Sequence, residues 1–213
     1  MAESPQGRRI FLIGFNKCGT TSFHDFFKAN GISSVHWRAN TLAMAIHRHL
    51  HSGHRPLLDG LDQWTAYTDM VCIPGSPWEN SNSDGHPLVE ACRCFRDLQA
   101  SYPHSLFILN TRDPMAWVRS RLKHDQGRFA EAYRRALAPI GVQNDAQLVH
   151  HWLQEWHEHH AQVLAHFRFQ TPQDFLLFHI DHTPHDELFN FLEPHFPLTS
   201  RLFPHHHRSP SGG

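Results

Sequence analysis

A short apolar strand, a glycine-bounded turn and a helix follow one another near the start of the chain, and this order constrains the fold most. Residues 9–14 (RIFLIG) are typical of a buried strand, because a short apolar run ends at a glycine. A helix is predicted for residues 20–30, where phenylalanines recur on one face, and a second strand for residues 32–36. The segment is therefore a predicted βαβ unit, which places its strands parallel in one sheet.

The same alternation of strands and helices continues along the chain. Further strands are predicted at 105–110 and 175–180, helices at 41–51, 87–101, 115–123, 145–167 and 186–192, a strand or loop at 64–70, and a long loop at 73–87. The pattern predicts an α/β protein with a central parallel sheet flanked by helices. A length of 213 residues suits one domain spanning 1–213, with residues 1–8 and 209–213 expected to fray.

Composition excludes several classes of protein. The 19 basic and 20 acidic side chains nearly cancel, which argues against a nucleic-acid or membrane-surface partner. No apolar run reaches the length of a signal peptide or a membrane span. The four cysteines match neither a disulfide framework nor a zinc site, so we expect a cytoplasmic protein with reduced thiols.

The turn between the first strand and helix has the features of a phosphate-binding loop. Gly14 and Gly19 keep the spacing of a Walker A loop, Gly-x-x-x-x-Gly-Lys-Ser/Thr, but Thr20 stands where that motif has lysine. Lys17 lies inside the loop instead, and hydroxyl side chains continue to Ser22. Glycines let the backbone amides turn toward an anion, and the helix amino terminus adds positive potential. The alternative is a tight strand–helix connection with incidental hydroxyl groups.

Residues 15–22 (FNKCGTTS) resemble the 5′-phosphosulfate-binding loop of sulfotransferases that use PAPS (3′-phosphoadenosine 5′-phosphosulfate), whose core reads Pro-Lys-Ser/Ala-Gly-Thr-Thr. The resemblance implies a three-layer, P-loop-like fold. It also implies that Lys17 contacts the bridging oxygen of the donor and that the hydroxyls hold the 5′-phosphate. Asn16 departs from the proline or arginine common in the family. The donor-binding residues implied are Asn16, Lys17, Cys18, Gly19, Thr20, Thr21 and Ser22.

A second segment is similar to the 3′-phosphate site of the same family. Arg112 follows the strand predicted at 105–110, and Ser120 lies eight positions later in the next helix. An arginine fork and a hydroxyl suit the oxygens of a phosphate. The alternative for Arg112-Asp113-Pro114 is an ordinary helix start. The neighbouring Arg119, Arg121 and Lys123 could add positive charge near this site, but for each of them a solvated helix face is the favoured prediction.

Sulfuryl transfer also needs a general base to take the acceptor's proton. His36, at the end of the second predicted strand, is the first candidate, and a strand-terminal histidine bonded to backbone is its alternative. Asp69 is the second candidate, and a turn or capping aspartate is its alternative. His24 is expected to be structural or exposed. Of the 22 histidines, those at 150–160 are expected on a solvated helix face, and 205–207 either contact donor phosphate or form a polar tail.

The resemblance predicts an enzyme that moves the sulfuryl group of PAPS to a hydroxyl or amine of a small-molecule acceptor and releases PAP (adenosine 3′,5′-bisphosphate). The lysine and the helix-end amides of such a site stabilise the leaving group, so no metal is expected to be required. The residues alone leave two alternatives open. One is a P-loop kinase or NTPase with a degenerate loop, for which Asp181 would hold Mg²⁺ at a strand end. The other is a nucleotide-binding module without catalytic activity. The acceptor and the oligomeric state stay open at this point.

Overall fold

The computed structural model describes residues 7–75, 86–169 and 171–204. Its centre is a five-stranded sheet in which all neighbouring strands run parallel. The strands in chain order are β1 (Ile10–Leu12), β2 (Ser34–His36), β3 (Ala66–Thr68), β4 (Val71–Cys72), β5 (Val89–Glu90), β6 (Leu106–Thr111) and β7 (Phe175–His179). The prediction of an α/β protein with a central parallel sheet flanked by helices is confirmed.

The α-helices in chain order are α1 (Thr20–Ala29), α2 (Thr41–Ser52), α3 (Phe95–Ser101), α4 (Pro114–Lys123), α5 (Arg128–Leu137), α6 (Asp145–Phe169) and α7 (His185–Leu192). Within the described ranges, none of them is both long enough and apolar enough to cross a membrane. Helices cover both faces of the sheet because successive side chains of a strand point to opposite faces. In β1, Ile10 and Leu12 join the core under α1 and α7, whereas Phe11 joins the core under α2 to α6.

The order of strands across the sheet is β2-β3-β1-β6-β7. The chain leaves β1 through α1, adds β2 and β3 on one side, and later adds β6 and β7 on the other. The winding direction therefore reverses at β1. Since the strands are parallel, the segments that follow them meet at one edge, which we call the carboxyl edge. In open α/β sheets, ligands bind at this edge where the winding reverses.

The helix predicted for 87–101 is wrong in its first half. Val89–Glu90 instead forms β5, which pairs antiparallel with β4 in a separate two-stranded sheet, and a short 3₁₀ turn over Ala91–Cys94 leads into α3. The reason is tertiary, since pairing with Cys72 lets the β-branched Val89 bury its side chain. Helix α5 was not predicted from the sequence.

Parts of other predictions fall on residues that are not described. Of the loop predicted at 73–87, residues 76–85 lie outside the described ranges, as do the histidines at 205–207. Of the ends predicted to fray, 1–6 and 209–213 also lie outside them. Arg8, also predicted to fray, lies 3.5 Å from a carboxylate oxygen of Asp174, close enough for an ion pair.

Two histidines of α6 are buried, so the solvated-face prediction is wrong for them. The His159 ring donates from Nε2 to the Ile13 carbonyl at 2.6 Å, next to the end of β1. The His160 ring donates from Nδ1 to the Trp156 carbonyl and accepts at Nε2 from the Thr111 hydroxyl, both at 2.8 Å. These bonds fasten α6 to the carboxyl ends of β1 and β6. Burial lowers the pKa of each ring to about 4.

We expect acid to destabilise the fold through these two rings. An unfolded histidine takes up a proton near pH 6.5, whereas the folded protein keeps both rings neutral down to about pH 4. The free energy of unfolding therefore falls as pH drops from 6.5 to 4, by about 3 kcal/mol per ring. Urea unfolding at pH 7 and pH 4.5 measures the loss, which should shrink in His159→Gln and His160→Gln. His157→Gln, at an exposed position of α6, is the control, and equal losses in all variants would contradict this origin.

Candidate active site

The loop between β1 and α1 is clamped to the neighbouring strand β6 by Asn110. The Gly14 amide donates to the Asn110 side-chain oxygen at 2.9 Å, and the Asn110 side-chain nitrogen donates to the Cys18 carbonyl at 2.9 Å. A Cβ at Gly14 would lie 1.9 Å from the Asn110 carbonyl oxygen, so only glycine fits there. Gly14 is therefore required because the loop passes close to the backbone of β6.

The backbone of the loop is left-handed at two positions close to the start of α1. Lys17 (φ 66°) and Gly19 (φ 78°) are both left-handed, and Gly19 precedes the first turn of α1. The first N–H groups of a helix have no partner within the helix, which makes this end suited to an anion. Thr20 and Ser22 are buried in that turn and Thr21 is half-buried.

Cys18 lies in the predicted donor loop, but its thiol is unreactive. Its side chain is fully buried, and burial raises the pKa of the thiol to about 12. The thiol therefore stays protonated and unreactive at neutral pH. Any contribution of Cys18 to an anion site comes from its backbone.

The side chain of Asn16 faces the protein interior. Its oxygen accepts from Arg121 Nε at 3.0 Å, and its carbonyl accepts from the Trp117 indole at 3.0 Å. Arg121 is 1% exposed, so the prediction of a solvated face is wrong for this residue. Its guanidinium pairs with Glu90 at 2.6 Å and is surrounded by the rings of Phe15, Trp117, Phe129, Tyr133 and Trp152. Arg121 thus ties the loop to α4, β5 and α5.

Lys17 extends from the loop into a mixed electrostatic environment. Its ammonium lies 3.2 Å from the Nδ1 atom of His124, which follows α4. Burial lowers the pKa of Lys17 and Arg112 adds to the decrease, whereas Asp69 opposes it. Sequence reasoning missed His124, because nothing in the sequence distinguishes it among 22 histidines.

Arg112 contacts the same loop from the end of β6. Its guanidinium donates to the Lys17 carbonyl at 3.4 Å, although the two residues are 95 positions apart in the chain. Its Nε atom lies 3.7 Å from Asp181 and has no hydrogen-bond partner among the described residues. The guanidinium is thus held by one long hydrogen bond and one distant carboxylate, and an anion could replace both contacts. Ser120 is half-buried on α4, and no hydrogen bond joins it to Arg112 within the described ranges.

The two candidate bases lie next to each other. Asp69, directly after β3, places its Oδ2 atom 3.6 Å from His36 Nε2 and accepts from the Thr20 hydroxyl at 3.3 Å. Its other oxygen, Oδ1, is buried and has no hydrogen-bond partner in the described part of the chain. Burial raises the pKa of Asp69, while His36 and Lys17 oppose the increase. A buried carboxylate oxygen without a partner is costly unless a ligand supplies one.

The His36 ring is oriented by the strand beside it. The Thr68 hydroxyl donates to the Val35 carbonyl at 3.1 Å, so it accepts from His36 Nδ1, which lies 2.9 Å away. With the proton on Nδ1, the Nε2 lone pair faces Asp69 across 3.6 Å, which is longer than a hydrogen bond. His24 lies behind, with its ring 5.4 Å from that of His36, and burial lowers its pKa.

Left-handed residues other than glycine cluster around this edge. They are Lys17, Trp37, Arg38, Ala39, Asn40, Asp69, Asp125 and Gln126. Such backbone costs about 1 kcal/mol or more per residue and concentrates at functional sites. Together the residues offer a tight loop before a helix amino terminus, a lysine, an arginine with weak contacts, and a carboxylate beside a histidine. No family model matches the chain, and the search of curated proteins found no match either.

Proposed function

We propose that the chain is a sulfotransferase with a P-loop-like fold that transfers the sulfuryl group of PAPS to a hydroxyl or amine of a small acceptor. The observation that carries the proposal is the contact between Arg112 and the Lys17 loop at 3.4 Å. The two segments that resemble the family's phosphate sites therefore adjoin each other at the carboxyl edge. A donor with a 5′-phosphosulfate and a 3′-phosphate needs both sites at once.

The loop residues suit the transferring end of the donor. The amides around Gly19 and the hydroxyl of Thr21 would hold the 5′-phosphate, and Thr20 would join them by turning its hydroxyl away from Asp69. The Lys17 ammonium would stabilise the charge that grows on the bridging oxygen as its bond to sulfur breaks. Arg112 would give up its weak contact with Asp181 and bind the 3′-phosphate instead. Ser120 would bind the same phosphate after the start of α4 moves toward the ligand.

The pair of Asp69 and His36 supplies the base. The unpartnered Oδ1 atom of Asp69 is the group available to the acceptor, because both His36 nitrogens already face protein atoms. In the transfer, the acceptor oxygen or nitrogen bonds to sulfur and gives its proton to Asp69. The raised pKa of Asp69 favours this uptake at Oδ1, and the His36 ring lies 3.6 Å from the second oxygen.

The kinase alternative has less support. Asp181, which that hypothesis needs for Mg²⁺, lies 3.7 Å from Arg112 and neutralises it instead. Metal dependence is the property that separates the two hypotheses in the test tube.

Calorimetric titration with PAP, and with ATP in parallel, tests the proposal when a chelator is present in both. We expect PAP to bind and ATP to bind more weakly, since only PAP carries a 3′-phosphate for Arg112. Binding of ATP alone, or of neither nucleotide, would overturn the proposal. Sulfate release from PAPS in the presence of chelator would then separate an enzyme from a binding module.

Arg112→Ala is expected to weaken PAP binding by about 10- to 100-fold, because a charge-assisted pair with phosphate is lost. The same titration measures the effect. Arg119→Ala is the matched control. It removes the same charge from an exposed position on the next helix. Equal affinity of the Arg112 variant and the wild-type protein would remove Arg112 from the 3′-phosphate site.

A further inference from the structure

His124 contacts Lys17 but belongs to neither predicted phosphate site. Its Nδ1 atom lies 3.2 Å from the Lys17 ammonium, although the two residues are 107 positions apart. The ammonium is the donor of this hydrogen bond. An ammonium can only donate, so His124 accepts with a lone pair on Nδ1 and carries its proton on Nε2.

The turn that carries His124 holds the ring in one place. His124 follows the last residue of α4, and the next residues, Asp125 (φ 49°), Gln126 (φ 56°) and Gly127 (φ 88°), are all left-handed. Three such residues in succession reverse the chain sharply before α5 begins. The ring then packs edge-on against Phe129, with centroids 5.3 Å apart. A sharp reversal and an aromatic contact thus direct Nδ1 at the loop.

The surroundings of Lys17 explain why it needs such a partner. Arg112 lies on the same side of the loop and repels the ammonium, while Asp69 attracts it toward the candidate base. A lysine drawn onto Asp69 would neutralise the carboxylate that must take up a proton. A neutral acceptor at His124 holds the ammonium without cancelling its charge. Lys17 is thereby held away from the carboxylate and stays available to the bridging oxygen of a donor.

We propose that His124 is a positioning residue that holds the Lys17 ammonium in place for the leaving oxygen. The inference rests on the proposed function, because it assigns His124 a role in that reaction. His124 acts through Lys17 and does not itself contact the donor. Removing it should therefore slow transfer while leaving the binding of PAP, which has no sulfuryl group, nearly unchanged.

The experiment measures sulfate release from PAPS with water as the acceptor, together with PAP affinity. In this reaction the water oxygen bonds to sulfur, the bond from sulfur to the bridging oxygen breaks, and the water proton passes to the base. We expect His124→Ala to lower the turnover about 10-fold. His124→Asn, which restores an acceptor oxygen, should recover most of the loss. Lys123→Ala, at the exposed neighbouring position, is the control and should match wild type.

A double-mutant cycle shows whether His124 acts through Lys17. In a Lys17→Ala background, His124→Ala should cause no further decrease, because the group that it positions is gone. Additive losses, a turnover unaffected by His124→Ala, or equal losses in turnover and PAP affinity would overturn the inference while the proposed function stands. Failure of the wild-type protein to bind PAP would overturn the proposed function, and the role of His124 with it.

Discussion

Replacing Lys17 with alanine is expected to lower the turnover of PAPS about 100- to 1,000-fold. The reason is that, in the proposed reaction, the ammonium would stabilise charge that appears on the bridging oxygen mainly in the transition state. The affinity for PAP should change less than about threefold, since PAP lacks the leaving group that the lysine serves. Sulfate release under saturating PAPS and calorimetric titration with PAP measure the two quantities on the same preparation.

Two further variants make the Lys17 result interpretable. Lys28→Ala removes an exposed lysine from the far end of α1 and should leave both quantities unchanged. Arg112→Ala should show the opposite pattern, with a large loss of PAP affinity. If Lys17→Ala lost PAP affinity and turnover in equal proportion, Lys17 would be a ground-state binding residue and its assigned role would be wrong.

Replacing Arg121 with methionine is expected to lower the free energy of unfolding by about 3–5 kcal/mol. The change leaves Glu90 as a buried carboxylate without its cation, and such unpaired charges are strongly destabilising. Burial by itself raises the pKa of Glu90, but Arg121 and the Tyr133 hydroxyl hold it below its usual value. The variant also releases the side chain of Asn16 from its bond at 3.0 Å. Urea unfolding at neutral pH measures the loss.

The double variant Arg121→Met and Glu90→Gln tests the cause. Removing both charges should restore much of the stability, because a pair of buried charges often contributes little beyond a neutral pair of similar shape. If the double variant lost the sum of the two single effects, packing of the guanidinium among its aromatic rings would be the main contribution. In either case Arg121 would not belong to a solvated surface.

The local parts of the site could be predicted from the sequence. The strand, turn and helix around residues 9–30 follow from an apolar run, two glycines and a helical repeat of phenylalanines, all of which act over short stretches of chain. Parallel strands then place Arg112 at the same edge as the loop, as the position of Arg112 after a predicted strand indicates. Local patterns could not predict which segments pair when they are distant in the chain. This is why the sequence predicts helix where β5 lies.

The residues around the loop were decided by tertiary structure. Arg121 looks like any surface arginine in the sequence, but five aromatic rings and Glu90 converge on it from separate elements. His124 likewise gains its contact with Lys17 only because the chain reverses after α4. The sequence by itself determined the strand, turn and helix that form the loop, since backbone conformation there depends on adjacent residues. Burial and charge pairing depend on atoms that are distant in the chain, so only the folded protein determined which side chains surround that loop.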